Sequence, residues 1–67
     1  MDADERERVV RDGSVSVPEG SRFTGMGRTL LYGLMARGEL RYVKVGKRRL
    51  IPRSELVRLL ADRLVGE

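Results

Sequence analysis

Apolar residues recur along the chain at spacings that predict three helices and one β-hairpin. The clearest helical stripe lies near the middle of the chain, since successive residues turn by about 100° around a helix. Its members are Leu30, Leu31, Leu34 and Met35. The opposite side of the same segment carries Arg28, Thr29, Tyr32 and Ala36. The pattern predicts a helix from about residue 28 to Arg37, ended by Gly38, with one apolar and one polar face.

A shorter helix is predicted just before it, over residues 17–24. Ser16 and Glu19 have the spacing of a capping box, in which the two side chains satisfy free backbone amides at the start of a helix. The predicted apolar contacts of this helix are Val17 and Phe23. Gly25 supplies the left-handed conformation that ends many helices. Two helices joined through Gly25 make the minimal plan of a helix-turn-helix.

The segment after Gly38 predicts a β-hairpin, because β-branched and aromatic residues flank a loop that contains Gly46. A three-residue loop would place Val43, Val45 and Ile51 on one face. A two-residue loop would turn one strand over, so both registers stay open. A last helix is predicted over residues 53–64, with a buried seam of Leu56, Leu59, Leu60 and Leu64 that Val57 and Ala61 widen.

Composition narrows the class of protein. Sixty-seven residues form one small domain, and without cysteine or histidine it lacks the commonest general base and the commonest metal ligands. No Walker-type phosphate loop is present, so no catalysis, cofactor or metal is expected. The carboxylates Glu39, Glu55, Asp62 and Glu67 are predicted to be scattered over the surface. No apolar run approaches the roughly 18 residues that span a bilayer, and a cytoplasmic, nucleoid-associated protein is expected.

Charge is unevenly distributed along the chain. The formal net charge is +4, but residues 1–20 carry −3 and residues 21–67 carry +7. Residues 1–14 are highly charged and offer little to bury, so they are predicted to form a disordered tail before a domain of residues 15–65. The basic character of that domain predicts a polyanionic partner.

The hairpin concentrates the positive charge. Its basic residues are Arg41, Lys44, Lys47, Arg48 and Arg49, and no acid occurs from Leu40 to Ser54. Like charges at this spacing repel one another unless an anion neutralises them. Protection of an exposed strand edge is the alternative, but it needs only one or two charges. Contact with DNA phosphates is therefore favoured. If five phosphates are neutralised, the affinity for DNA should fall with salt concentration at a log–log slope of roughly −4 to −5.

From Val15 to Leu60 the chain resembles the excisionase-family, MerR-like winged helix-turn-helix domains of bacteria and phages. The matching runs are Val17-Pro18-Glu19, Phe23-Thr24-Gly25-Met26, Arg28-Thr29-Leu30-Leu31-Tyr32, Arg37-Gly38-Glu39-Leu40, Val43 to Arg49 and Ile51-Pro52-Arg53. Two departures stand out. Gly20 and Ser21 replace the usual alanines, which implies a looser first helix, and Gly27 replaces the usual serine, which implies a weaker start to the second.

The resemblance implies a mainly α fold with a small β-hairpin, a winged helix-turn-helix. Its second helix would enter the major groove and its hairpin, the wing, would lie on the neighbouring minor groove. By position, this implies DNA contacts from Arg28, Thr29 and Tyr32 on the helix, and from Lys44, Lys47, Arg48 and Arg49 on the wing.

The expected function is sequence-specific binding of double-stranded DNA. The favoured role is that of an excisionase-like factor that binds repeated sites, associates with itself along DNA, bends the DNA and steers an integrase. The chain is expected to lack the long dimerisation helix and effector domain of full MerR regulators, which favours this role or that of a minimal transcription regulator that lines up cooperatively on DNA. A protein-interaction module, whose basic wing docks on an acidic partner, is the alternative from another class.

Overall fold

A computed structural model describes residues 1–66. Its elements are α1 (Ala3–Val10), β1 (Ser14–Ser16), α2 (Val17–Thr24), α3 (Arg28–Ala36), β2 (Val43–Val45), β3 (Arg48–Pro52) and α4 (Arg53–Asp62). Helices α2, α3 and α4 are the three that the apolar pattern predicts, and the mainly helical fold with a hairpin is confirmed. Within the described part of the chain, no helix is both long and apolar enough to cross a membrane.

The three strands form one antiparallel sheet in the order β1-β3-β2. Val43 pairs with Leu50 and Val45 with Arg48, so the hairpin turns through two residues, with Gly46 in the left-handed region at φ 60°. Of the two registers that the sequence leaves open, this is the one with the two-residue loop. Since side chains alternate between the faces of a sheet, Val43 and Val45 lie on the face opposite Ile51.

The sheet also contains a strand that the sequence prediction missed. Residues 14–16 form β1, in which Val15 pairs with Ile51 and is buried, while both flanking serines are partly exposed. This alternation is the ordinary signature of a half-buried strand, but three residues are too few to stand out. β1 places the start of α2 directly beside the wing.

The core lies between the sheet and helices α2, α3 and α4. Its buried members are Val15, Val17, Leu31, Leu34, Met35, Leu40, Ile51, Leu56 and Leu59. The predicted seam of α4 is wrong at three positions, because Val57, Ala61 and Leu64 are exposed, and Leu60 is only half-buried. Leu64 lies beyond the end of α4, so the helical spacing no longer applies to it.

Two apolar residues of the helix-turn-helix were assigned wrongly to the core. Leu30 is 49% exposed because Leu31, Leu34 and Met35 already fill the arc of α3 that faces the core, and Leu30 lies about 90° away from its centre. Phe23 is 53% exposed, since α2 instead approaches the core through Gly20. A Cβ atom at Gly20 would lie 3.1 Å from Ile51 Cδ1. The glycine that departs from the family pattern therefore allows this close approach.

The structure differs from the predicted disordered tail at residues 1–14. Residues 3–10 form α1, whose first turn is capped by Asp2 Oδ1 accepting from the Glu5 amide at 2.8 Å. α1 buries none of its residues. Hydrogen bonds hold this segment against α4 instead, because the Ser54 hydroxyl donates to the Val9 carbonyl and the Arg53 amide donates to the Gly13 carbonyl. A disordered tail was predicted because residues 1–14 offer few apolar side chains to bury, and these hydrogen bonds leave no such pattern in the sequence.

Candidate nucleic-acid interface

The turn between α2 and α3 is fixed by side chains as well as by Gly25. Gly25 has φ 75°, in the left-handed region that ends a helix. The Ser21 hydroxyl donates to the Met26 carbonyl at 2.6 Å, and Thr24 Oγ1 accepts from the Met26 amide at 3.1 Å. Ser21, which stands where the family usually has an alanine, therefore helps to fix the turn that leads into α3.

The polar face of α3 is exposed as predicted. Arg28 and Thr29 lie on the solvent side of its first turn, and Tyr32 follows one turn later with 44% of its surface exposed. No acidic residue occupies that first turn, and Gly27 provides no side-chain cap. The weak start that Gly27 implies is therefore present, and the face offered by α3 carries positive charge without a neighbouring carboxylate.

A shallow groove of about 240 Å³ separates α3 from the wing. Its lining residues are Ser16, Val17, Pro18, Tyr32, Lys47, Arg48 and Arg49. Four of the seven predicted DNA-contacting residues are therefore brought together, one from α3 and three from the wing. Arg28 and Thr29 lie on the same helix, outside the groove. Lys44 lines a different cleft, between α1 and β2. Contact of these seven residues with DNA stays a prediction.

Arg49 lies against two tyrosine rings, one of which lines the groove. Its guanidinium carbon lies 5.3 Å from the centre of the Tyr32 ring and 4.8 Å from that of Tyr42, within the range of cation–π contact. Tyr42 was not predicted as a site residue, since its place before β2 indicated only a strand. The register that pairs Lys44 with Arg49 brings it within reach of this guanidinium.

Arg41 does not belong to the free charge of the wing, which corrects the prediction from the sequence. Its Nη2 donates to Glu55 Oε2 at 2.8 Å, and its backbone amide donates to Glu55 Oε1 at 2.9 Å. Arg58 Nη2 completes the cluster at 3.1 Å from Glu55 Oε1. The ion pairs among residues 1–66 include none from Lys44, Lys47, Arg48 or Arg49. Four unpaired cations thus remain on the wing. If each neutralises one phosphate, the log–log slope of DNA affinity against salt concentration becomes less steep, at roughly −4.

Glu55 was predicted to lie on the surface, and that prediction is wrong. Only 1% of its surface is exposed. Burial raises the pKa of the carboxyl, but hydrogen bonds from Arg41 and then Arg58 outweigh this effect and lower the pKa to about 2. Glu39 remains exposed and pairs with Arg37, while Asp62 pairs with Arg58. Glu67 lies outside the described residues. Glu55 therefore anchors the start of the wing to α4.

Comparison with known proteins gives two matches. A family model described as a helix-turn-helix domain matches residues 14–64. A protein of Saccharopolyspora erythraea named "Probable excisionase" is 40% identical over 42 residues, which is 63% of this chain and 43% of that protein. The chain thus spans less than half the length of this curated relative. No solved structure matches the chain. Together the two matches confirm the family resemblance predicted from the residues.

Proposed function

The chain belongs to the helix-turn-helix domain family, and from that premise we propose that residues 15–65 bind double-stranded DNA in a sequence-specific manner. Helix α3 enters the major groove with Arg28, Thr29 and Tyr32, and the wing lies along the neighbouring backbone. The observation that carries this proposal is the shared groove, because Tyr32 of α3 and Lys47 of the wing both line it. One duplex can therefore touch both elements.

Charge and shape favour DNA over an acidic protein partner. The face of α3 that carries Arg28, Thr29 and Tyr32 offers a guanidinium and two hydroxyls to solvent, which suits the edges of base pairs. The unpaired wing cations include three, Lys47, Arg48 and Arg49, that line the groove beside this helix. In protein–DNA complexes, phosphate contacts position the protein and base contacts give specificity. Cations beside a helix that contacts bases match this arrangement.

The finer role is that of an excisionase-like factor in DNA recombination. It rests on the similarity to the probable excisionase, which covers 63% of this chain. In this role the protein acts in the cytoplasm on nucleoid DNA, binds repeated sites in contact with further copies of itself, bends the DNA and steers an integrase. The protein itself supplies binding and architecture, and the bond-breaking chemistry belongs to the integrase.

The test separates base reading from backbone binding. Arg28→Ala is expected to weaken binding to a duplex selected from a randomised pool by about 1–3 kcal/mol, and to relax the preference at one base pair. Arg48→Ala is expected to weaken selected and scrambled duplexes alike, and to make the salt slope less steep by about one. Fluorescence anisotropy at several salt concentrations measures both effects.

Arg63→Ala is the control, because this exposed arginine follows the end of α4 and does not line the groove. It should bind as the parent protein does. If Arg28→Ala and Arg48→Ala also leave discrimination and affinity unchanged, the wing serves a protein partner and the DNA proposal fails.

A further inference from the structure

Two arginines within residues 1–66 are half-buried, and their surroundings differ sharply. Arg41 donates to Glu55 with both its side chain and its backbone amide. The side chain of Arg49 makes no hydrogen bond or ion pair with the described residues, although its guanidinium lies against Tyr32 and Tyr42. The two tyrosine rings are therefore the contacts through which the fold positions the Arg49 guanidinium.

The donors of Arg49 remain available to a ligand. Aromatic rings contact the face of a guanidinium, whereas its five N–H groups point outward in its own plane. No side-chain polar atom that is fully buried within residues 1–66 lacks a hydrogen-bond partner, so the unbonded donors of Arg49 reach solvent. Arg49 lines the groove together with Lys47 and Arg48. The site therefore offers a fork of donors among positive charges, and no acidic residue lines it.

We propose that Arg49 forms a preformed site for a single DNA phosphate at the junction of α3 and the wing, and that Tyr42 is a positioning residue that holds Arg49 there. The proposal rests on the proposed function and adds a site and a residue to it. Phosphate is the ligand because an arginine fork matches two of its oxygens, and because the flanking cations favour the most negative part of DNA.

The three residues come from three different parts of the fold. Tyr32 lies on α3, Arg49 on β3, and Tyr42 in the segment that leads into β2. A phosphate held by Arg49 would therefore fix the distance between the helix in the major groove and the wing. Because the rings restrict the guanidinium before DNA arrives, less side-chain freedom is lost on binding.

A double-mutant cycle tests the dependence of Tyr42 on Arg49. Arg49→Ala is expected to lower affinity about tenfold for selected and scrambled duplexes alike, and to make the salt slope less steep by about 0.9. Tyr42→Leu is expected to lower affinity about fivefold with the slope unchanged, since the contact persists from a less ordered side chain. In the Arg49→Ala background, Tyr42→Leu should have no further effect.

Tyr42→Phe is the matched control, because it keeps the ring and should retain the affinity of the parent. Thermal melting checks that each variant is folded, and Arg49→Lys, which keeps the charge but not the fork, should lose affinity with little change in slope. Additive effects of Tyr42→Leu and Arg49→Ala would overturn the positioning role. Loss of preference at one base pair in Arg49→Ala would show a base contact instead of a phosphate site. Failure of the parent protein to bind any duplex would instead refute the proposed function.

Discussion

Replacing Glu55 with glutamine is expected to lower the free energy of unfolding at pH 7 by about 2–3 kcal/mol. The carboxylate is buried and accepts hydrogen bonds from Arg41 and Arg58, at distances between 2.8 and 3.2 Å. Glutamine keeps the volume, but it removes the charge and turns an NH2 group towards arginine donors. The lower pKa alone corresponds to about 3 kcal/mol, and the partial exposure of both arginines reduces that value.

A loss of this size is severe for so small a domain. A chain of 67 residues has a total stability of only about 3–10 kcal/mol. The melting temperature of Glu55→Gln should therefore fall by roughly 10–20 °C, which calorimetry or circular dichroism would measure. Because Glu55 also holds the backbone amide of Arg41, the wing of the variant should be less ordered even below its melting temperature.

The stability that Glu55 contributes should depend on pH. The pKa of Glu55 is about 2 in the folded protein, below its ordinary value of 4.5. Its contribution is thus fully present above pH 4.5 and is lost as the pH falls towards 2, because the unfolded chain then binds a proton that the folded protein does not. The stability difference between the parent and Glu55→Gln should close over that range.

Glu39→Gln is the matched control, since Glu39 makes an exposed ion pair with Arg37 and should contribute nothing measurable. Equal melting temperatures for the parent and Glu55→Gln at pH 7 would contradict the anchoring role of Glu55.

Reversing two charges on the wing is expected to remove most DNA binding. The double variant Lys47→Glu, Arg48→Glu should lose roughly 100-fold in affinity near 0.1 M salt, because two phosphate contacts disappear and two repulsions replace them. The salt slope should become less steep by about two. Both side chains are exposed at the tip of the hairpin, so the melting temperature should not change.

The control is Arg11→Glu, Arg63→Glu, which changes the net charge from +4 by the same amount at exposed positions outside the groove. Anisotropy titrations of the two double variants separate local contact from overall charge. Equal losses of affinity would mean that DNA responds to the net charge of the protein and not to the wing.

Local patterns in the sequence predict the helices and their turn well. Leucine spacing identifies α3 and α4, the capping box identifies the start of α2, and glycines mark the ends of α2 and α3. The same patterns predict the exposed polar face of α3, since a helix turns its polar side to solvent wherever its apolar side packs. These features depend only on residues a few positions apart.

Contacts between distant residues could not be predicted in this way. Glu55 meets Arg41 from 14 positions away, and Arg49 meets Tyr32 and Tyr42 only in the register with the two-residue loop. The apolar pattern also predicted a buried Phe23, but α2 packs against the core through Gly20 and Phe23 is exposed. A glycine that permits close approach carries no hydrophobic signal.

The most direct test of DNA binding by α3 and the wing together is a nuclear magnetic resonance titration of the isotope-labelled chain with a random-sequence duplex. Such a duplex needs no knowledge of the target site, because backbone contacts support non-specific binding. We expect the largest amide shift changes in two separate segments, residues 28–32 on α3 and residues 44–49 on the wing, at the same DNA concentration. Changes confined to one segment, or centred on α1 or α4, would contradict the shared interface.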